Sequence, residues 1–412
     1  MRVLFVAPFF PLPIRSGGHT RMASLLKWTG ERHHLCWISL GESQPGRAST
    51  EELNLAAPPE LMAARPNLTL REKLNDGLNP ANWVRTASRL VGRFQGIPLE
   101  VLRMSFPQMS SRIRELTAQV PFDIIQLEYT ALGGYLPLIR RCSPQSRIVL
   151  DEIDVSYIAM ERLHGRDPDS VPAGFPKQIE RMKRYERDLW TKCDAVVTMS
   201  DLEREHVARY VAGERVWSVP NGVDPGYFAF GQAPETASSI LFVGNLDHPP
   251  NRIGLTFFLD SVWPDLCRLV PRLTLDVVGD GGTPELLSHQ RQERVRFHGY
   301  VPDIRPLMGA AALMIVPILN GSGTRLKILE AFSAGVPVVS TALGCEGLEV
   351  VAGHHFLGAE TAQDFVGSVQ RLLRERELGL RLAEKGRALV EQRYSWEQIG
   401  RAMESVWEYS LR

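Results

Sequence analysis

Residues 311–341, AALMIVPILNGSGTRLKILEAFSAGVPVVST, predict the fold around which the rest of the chain is arranged. An apolar run over 313–319 ends in the polar turn 320–324, a helical pattern follows, and a second apolar run covers 336–339. This order of strand, glycine turn, helix and strand is a βαβ unit, which is right-handed and lays its strands parallel. The glycine turn and the start of the helix therefore lie at the carboxyl edge of a parallel sheet.

Two cations, Arg325 and Lys327, stand at the start of the predicted helix. Free backbone N–H groups and the positive end of the helix dipole suit phosphate at this position. A cation there is misplaced by roughly 0.3–1 kcal/mol, so a bound anion would explain the pair. Glu330, near the same end, has carboxylate oxygens that accept hydrogen bonds from sugar hydroxyls. The alternative is an ordinary surface helix of mixed charge.

The segment GSGTRLKILEAFSAGVPVVST, residues 321–341, resembles the signature region of family 4 glycosyltransferases. These are retaining enzymes of the GT-B fold, similar to the sugar transferases of bacterial polysaccharide biosynthesis, and the helix begins near the donor diphosphate. Of the two glutamates in the family's E-x-x-x-x-x-x-x-E motif, the second, which usually binds the nucleotide ribose, matches Glu330. The first, which usually contacts the donor sugar, is replaced by Ser322, so the resemblance leaves the sugar open.

Composition narrows the class of protein. The 412 residues include 47 Lys and Arg against 47 Asp and Glu, which argues against nucleic acid as the main partner because phosphate backbones select basic surfaces. This length accommodates two domains with sizeable cores. The five cysteines lie far apart without C-x-x-C spacing, which favours reduced thiols in the cytoplasm. Residues 1–10 are too short for a membrane span and predict a buried first strand.

The first strand leads into a second glycine turn, Gly17-Gly18, which is followed by a helical pattern from Met22. The turn lacks the G-x-G-x-x-G fingerprint, so it gives little support to a nicotinamide cofactor. In the resembled family this loop faces the donor phosphates and the acceptor; a plain turn is the alternative. His19 and Arg21 follow, either in reach of the cleft or as solvated loop residues.

Acidic residues end the next two predicted strands. Glu128 follows the run 122–127, and Glu152 and Asp154 follow the run 147–150. Residues at strand ends of an open α/β sheet project into its crevice, so these acids are candidates for holding acceptor hydroxyls or for receiving the acceptor proton. We retain Glu128 and Asp154 as catalytic candidates. Each could instead cap a helix or pair with an arginine. A metal site is disfavoured, since the resemblance implies that cations of the protein stabilise the leaving group, and no cofactor is expected.

Residues 85–115 contain six arginines against two glutamates, interleaved with apolar residues. This pattern suits a basic amphipathic face on an anionic membrane or a lipid-linked acceptor. A core helix with snorkelling arginines is the favoured alternative. The predicted location is therefore the cytoplasm, with peripheral contact to the inner face of the membrane as an alternative.

The element VPNGVD, residues 219–224, matches the family's hinge and sets the domain boundary. The predicted domains are 1–222, with helix 395–412 packing on it through Trp396, Val406 and Trp407, and 223–394. Asn251 is the natural N-cap of the helix that follows the first strand of the second half. The family usually supplies an arginine and a lysine in this loop to hold the diphosphate, whereas GNLDHPPNR, residues 244–252, offers only Arg252 nearby. This favours Arg325 and Lys327 in their place.

The resemblance implies two facing Rossmann-like domains, with a C-terminal helix crossing back to the first. The second domain holds a UDP- or GDP-linked sugar and the first a glycan, lipid-linked or small-molecule acceptor. The predicted activity is hexosyl transfer with retention of configuration. A GT-B-fold epimerase and a non-catalytic nucleotide-sugar-binding protein are the alternatives. The expected donor-binding residues are Gly17, Gly18, Gly244, Asn245, Gly299, Tyr300, Gly323, Thr324 and Glu330.

Overall fold

The computed structural model describes residues 1–412 apart from residues 15, 42–50, 56–59, 64–91, 93–95, 167–170, 173, 232–237, 293 and 322–324. It forms two compact units. The first comprises Met1–Pro220 and Gly400–Arg412, and the second comprises Asn221–Ile399. Two of the expected donor-binding residues, Gly323 and Thr324, lie outside the described residues.

The first unit contains a parallel sheet of seven strands. Its runs at 3–7, 124–128, 148–152 and 195–198 are buried throughout, as expected of central strands covered on both faces. The strands are β1 (Arg2–Ala7), β2 (His34–Gly41), β3 (Glu60–Ala63), β4 (Ile124–Glu128), β5 (Arg147–Glu152), β6 (Ala195–Thr198) and β7 (Val216–Ser218). Their order across the sheet is β3-β2-β1-β4-β5-β6-β7.

The helices of the first unit are α1 (Gly17–Thr29), α2 (Leu99–Arg103), α3 (Pro107–Gln119), α4 (Leu136–Cys142), α5 (Ser156–Arg166), α6 (Phe175–Lys192) and α7 (Asp201–Val207). Ser200 is the N-cap of α7, because its side chain accepts a hydrogen bond from the backbone N–H of Glu203.

The second unit contains a parallel sheet of six strands. The strands are β8 (Ser239–Val243), β9 (Thr274–Val278), β10 (Val295–Gly299), β11 (Leu313–Val316), β12 (Val338–Ser340) and β13 (Leu357–Gly358). Their order is β10-β9-β8-β11-β12-β13, so the βαβ unit predicted from residues 311–341 is confirmed as β11 and β12, which pair in parallel.

The helices of this unit are α8 (Pro249–Phe257), α9 (Trp263–Leu269), α10 (Pro284–Ser288), α11 (Arg305–Ala310), α12 (Leu326–Ala334), α13 (Ala362–Arg374) and α14 (Arg376–Leu389). One further helix, α15 (Trp396–Ser410), begins in the second unit and continues as part of the first. Its predicted packing residues Trp396, Val406 and Trp407 are buried. Within the first unit, Trp407 Nε1 donates a hydrogen bond to Gln126 Oε1 at 2.8 Å.

Each sheet has one point where the strand order reverses. In the first sheet β1 lies between β2 and β4, and in the second β8 lies between β9 and β11. The connections on either side of such a strand run in opposite directions, which opens a crevice at the carboxyl ends where ligands of α/β proteins bind. Ligand sites are therefore expected at the loops after β1 and β4 in the first unit and after β8 and β11 in the second.

One expectation for a helix changes in the structure, and for a second segment the favoured alternative agrees with it. Asn251 does not cap α8, because the prolines at 249 and 250 start the helix two residues earlier, with His248 at the N-cap position. In the described part of the Arg-rich stretch, Met109, Ile113 and Leu116 of α3 are buried in the core while Arg114 is exposed. This matches the alternative of a core helix with outward arginines. None of the helices described is both long and apolar enough to span a bilayer.

Candidate active site at the carboxyl edges of the two sheets

The Lys327 side chain lies at the reversal point of the second sheet. Its Nζ donates a hydrogen bond to Asn251 Oδ1 at 2.8 Å and lies 5.2 Å from the centre of the Phe242 ring. A Cβ on Gly244 would lie 2.8 Å from the same Nζ, so the glycine leaves the room that the ammonium group needs. The structure therefore brings Lys327 of α12 together with Gly244 and with Asn251 of α8.

Arg325 occupies the N-cap position of α12 rather than its first turn, since the helix begins at Leu326. Gly321, in the turn before it, has a φ of +106°, a conformation that L side chains rarely adopt. A Cβ at Gly321 would lie 3.2 Å from Arg325 Nη2, so the guanidinium group lies against the glycine turn. Both cations thus stand near the start of α12, as the sequence predicted.

Burial and neighbouring charge shift the pKa values here toward neutrality. Burial, helped by Arg325 and opposed by Glu330, lowers the pKa of Lys327 to about 7. Burial raises the pKa of Glu330 to about 7 against the opposing effect of Lys327. Burial, with the positive charges of Arg325 and Lys327, also lowers the pKa of His248. An anion bound at this edge would favour the charged form of Lys327.

The neighbouring strand ends place the other predicted donor residues on this edge. Gly279, after β9, has a φ of +144°, and a Cβ there would lie 1.9 Å from the Gly244 oxygen. The Gly279 N–H donates to the Gly299 oxygen at 2.9 Å, so the chain at Gly244 and the chain at Gly299 are joined through Gly279. Tyr300 follows with its side chain 65% exposed. Asn245 holds the loop after β8 by accepting a hydrogen bond from the Asp247 N–H at 2.8 Å.

In the first unit, Gly17 and Gly18 begin α1 at the carboxyl end of β1. A Cβ on Gly18 would lie 2.2 Å from the hydroxyl oxygen of Tyr129, so only glycine fits beneath this side chain. Tyr129 itself has a φ of +70°, an uncommon conformation for a tyrosine. The Phe9 ring stacks on His19 with ring centres 4.3 Å apart. The glycine turn at 17–18 and the rings of Phe9, His19 and Tyr129 thus lie together at the carboxyl edge of the first sheet.

Arg21 is neither in the crevice nor solvated, contrary to both expectations. It is fully buried, and its Nε and Nη2 donate to the two carboxylate oxygens of Asp151 at 3.0 and 3.2 Å. Its Nη1 donates to the Pro220 oxygen at 2.9 Å. The buried arginine pair at the end of β5 is therefore made by Asp151, which was not among the acids considered for such a pair.

Glu128 is 1% exposed, and its Oε1 accepts a hydrogen bond from Gln126 Nε2 at 2.8 Å. Among the described residues, no hydrogen-bond partner reaches its Oε2. Burial and the nearby Asp151 raise the pKa of Glu128 to about 8, with Arg21 and Gln126 opposing. The raised pKa favours the protonated form of the Glu128 carboxyl, which can donate a hydrogen bond.

The two remaining acids differ in surroundings. Glu152 is fully buried, and its carboxyl accepts hydrogen bonds from the Thr130 hydroxyl and from Trp190 Nε1. Burial and the nearby Glu186 hold the pKa of Glu152 well above its usual range. Asp154, two residues beyond β5, is half-buried. The carboxyls of Asp151 and Glu152 are thus engaged by protein groups, while Asp154 lies closest to solvent.

Sequence reasoning missed two residues of these edges. Asn251 has the sequence pattern of a helix cap, and its hydrogen bond to a lysine 76 positions later carries no local signal. A tyrosine after a strand is ordinary, so the sequence does not mark Tyr129 either. Only the glycines at 18 and 244 hint at these contacts, since each marks a place where another group approaches closely.

The molecule has two parallel Rossmann-type sheets, each with a glycine-containing loop at its carboxyl edge. It is therefore a two-domain α/β protein of GT-B architecture. Residues 237–375 match the model of the family described as Glycosyl transferases group 1, which confirms the resemblance found in residues 321–341. The chain is 27% identical over 224 residues to a phosphatidyl-myo-inositol mannosyltransferase of Mycobacterium leprae, covering 52% of this chain and 58% of that protein. It is 29% identical over 126 residues to an uncharacterized 44.6 kDa protein in the cps region of Klebsiella pneumoniae, covering 26% of this chain and 30% of that one.

Solved structures confirm the predicted fold. Anabaena Alr3699/HepE in complex with UDP aligns with a TM-score of 0.68 at 15% identity, covering 98% of this chain and 99% of that one. A sucrose-phosphate synthase from Thermosynechococcus elongatus aligns with a TM-score of 0.69 at 17% identity, covering 99% and 98%. The curated relatives are matched over much less of their length, 58% for the mannosyltransferase and 45% for an Arabidopsis thaliana phosphatidylinositol N-acetylglucosaminyltransferase subunit.

Proposed function

We propose that the protein is a retaining glycosyltransferase that moves a sugar from a UDP- or GDP-linked donor to a hydroxyl group of a glycan, lipid-linked or small-molecule acceptor. The observation that carries this proposal is the position of Lys327 at the reversal point of the second sheet, beside the start of α12 and Gly244. Arg325 lies at the same helix start. Two cations and a helix N-terminus at one sheet edge suit a diphosphate.

The chemistry needs such a cluster. Glycosyl transfer passes through a transition state that resembles an oxocarbenium ion while negative charge builds on the departing diphosphate. Positive groups fixed where that charge develops lower the barrier, because they need no rearrangement during the reaction. Lys327 and Arg325 are assigned to this task, Glu330 to the ribose hydroxyls, and Gly244, Asn245, Gly299 and Tyr300 to the remainder of the nucleotide.

The acceptor is assigned to the first unit, where the acids at the ends of β4 and β5 can hold hydroxyl groups. Of the two catalytic candidates, Asp154 is the better proton acceptor because it is half-buried, whereas Glu128 is buried and raised to a pKa of about 8. Glu128 then serves as a hydrogen-bond donor. The donor class is supported by Alr3699/HepE, whose structures are described in complex with UDP and with UDP-glucose.

A donor panel tests the proposal. UDP-, GDP- and ADP-linked sugars are screened by thermal denaturation, since a ligand that binds only the folded protein raises its stability by RT ln(1 + [L]/Kd). We expect one nucleotide class to raise the melting temperature, and its sugar to appear on an added glycan or lipid acceptor with release of the nucleoside diphosphate. A protein that binds none of these donors would overturn the proposal. A donor converted to an epimer without acceptor would show an epimerase instead.

A further inference from the structure

Asn251 is the third residue of α8 and is not its N-cap, since His248 holds that position and Pro249 and Pro250 begin the helix. Its side chain therefore plays no part in capping the helix start. The side chain is largely buried, with the residue 9% exposed. The burial of the Asn251 side chain is therefore explained by the contacts of its amide group rather than by a role in forming the helix.

Both ends of the Asn251 amide are engaged, which fixes its orientation. Nδ2 donates to the backbone oxygen of Asn245 at 3.0 Å, and Oδ1 accepts from Lys327 Nζ at 2.8 Å. The reversed orientation would place the NH₂ group against an ammonium group, donor against donor. The loop after β8 thus orients Asn251, and Asn251 in turn presents an acceptor to the ammonium group.

Gly244 supplies the space in which the two side chains meet. A Cβ at this position would lie 2.7 Å from the Asn251 amide and 2.8 Å from Lys327 Nζ. Any larger residue would displace one of them. Within the described part of the chain, Lys327 hydrogen-bonds only to Asn251, so two of its three N–H bonds remain for the oxygens of an anion.

We propose that Asn251 is a positioning residue that holds the Lys327 ammonium group against the leaving diphosphate, in place of the cations absent from the loop after β8. This inference rests on the proposed function. The positioning of Lys327 also couples donor binding to the protonation of its ammonium group. Arg325 and Glu330 of α12 and His248 at the start of α8 are the charged and titratable groups around Lys327. Because the pKa of Lys327 is lowered to about 7, diphosphate binding above that pH takes up a proton.

The test measures UDP and GDP binding by calorimetry between pH 6 and 9, in buffers of different ionisation enthalpy. Wild type is expected to lose affinity above about pH 7 with net proton uptake. Asn251→Ala should weaken binding about tenfold, the usual effect of removing one hydrogen bond to a charged group. It should also move the loss of affinity to lower pH, because the unpartnered ammonium group releases its proton more readily.

Asn251→Asp should move the loss of affinity to higher pH, since a carboxylate beside Lys327 favours its charged form. A residue that merely supported α8 would not produce opposite shifts. Thr256→Ala, on the same helix, is the matched control and should leave the pH dependence unchanged. The melting temperature of each variant checks folding.

The outcomes separate this inference from the proposed function. If wild type binds UDP or GDP and both Asn251 variants keep its affinity and pH dependence, the positioning role is wrong while the proposed function stands. If wild type binds neither nucleotide at any pH, the proposed function falls and this inference falls with it. Opposite pH shifts in the alanine and aspartate variants support the assignment.

Discussion

The first sheet carries acids at the carboxyl ends of β4 and β5, and Arg21 forms a fully buried ion pair with one of them, Asp151. The edge of the second sheet carries Lys327 and Arg325 beside a helix start. Around their reversal points the two sheets have the same strand order. Topology therefore decides where a site can form, and the side chains at the strand ends decide what it binds.

The contrast also separates two uses of a cation. Arg21 is buried and donates its hydrogen bonds to Asp151 and Pro220, so its charge stabilises the first unit. Lys327 is half-buried, and among the described residues it hydrogen-bonds to the neutral Asn251 amide, which leaves N–H bonds for a ligand. Replacing Arg21 should lower stability, and replacing Lys327 should lower activity. The predictions below follow from this difference.

Arg21→Met should destabilise the first unit by roughly 3–5 kcal/mol, because it leaves Asp151 buried and unpaired. The measurement is hydrogen exchange of the amides in β4 and β5, which reports the local free energy of opening. The double variant Arg21→Met, Asp151→Leu should recover most of the loss, since well-packed apolar residues replace buried ion pairs at little cost. A single variant as protected as wild type would contradict a structural role for Arg21.

Lys327→Ala should lower turnover by on the order of 10²–10³, the cost of removing one group that stabilises charge in a transition state. The melting temperature should change little, because Lys327 is half-buried and its hydrogen bond is to a neutral amide. Turnover is measured as nucleoside diphosphate released in the presence of acceptor. Lys385→Ala, which removes an exposed lysine of α14, should change neither quantity. Wild-type turnover in the Lys327 variant would refute its assignment.

Glu330→Gln should weaken nucleotide binding by about 1.5–3 kcal/mol, the range for hydrogen bonds to a charged group. The turnover of the bound complex should change less, because the ribose lies away from the reacting bond. Calorimetry with UDP or GDP gives the first quantity and saturation kinetics the second. The exposed Glu384→Gln is the control. Unchanged nucleotide affinity would argue against a ribose contact.

The first unit should lose stability as the pH rises toward 8. Burial raises the pKa of Glu128 to about 8 and that of Glu186 to about 7, so the folded chain binds these protons more tightly than the unfolded chain. Their contribution is complete below the ordinary carboxyl range and is lost as pH rises through the folded values. The slope is up to about 1.4 kcal/mol per pH unit for each proton.

Glu128→Gln should flatten that dependence, because the amide does not titrate. Denaturation of wild type and variant at pH 5 and pH 8 measures the change. In the second unit Lys327 acts in the opposite sense, since its lowered pKa adds stability as pH rises above about 7. An equal decline with pH in wild type and in the Glu128 variant would show that Glu128 is not the titrating group.

The parts of the site that were predictable belong to short segments with strong local patterns. The βαβ unit of β11, α12 and β12, the position of Arg325 and Lys327 at one helix end, and the glycine turns all follow from periodicity and turn chemistry within about 30 residues. The fate of Arg21 was not predictable. Its partner Asp151 lies 130 positions away, and an arginine after a glycine turn gives the same local signal whether it is buried or solvated.

The sequence by itself determined the two parallel sheets, the family resemblance and the cations at the start of α12, because burial patterns and backbone preferences are local properties of the chain. Only the tertiary structure decided which charged side chains are buried in ion pairs and which can contact a ligand. Asn251 is the hydrogen-bond partner of Lys327 rather than a helix cap, and burial raises the pKa of the Glu128 carboxyl. Hydrogen bonds and desolvation depend on groups distant in sequence, and these set the chemistry of each edge.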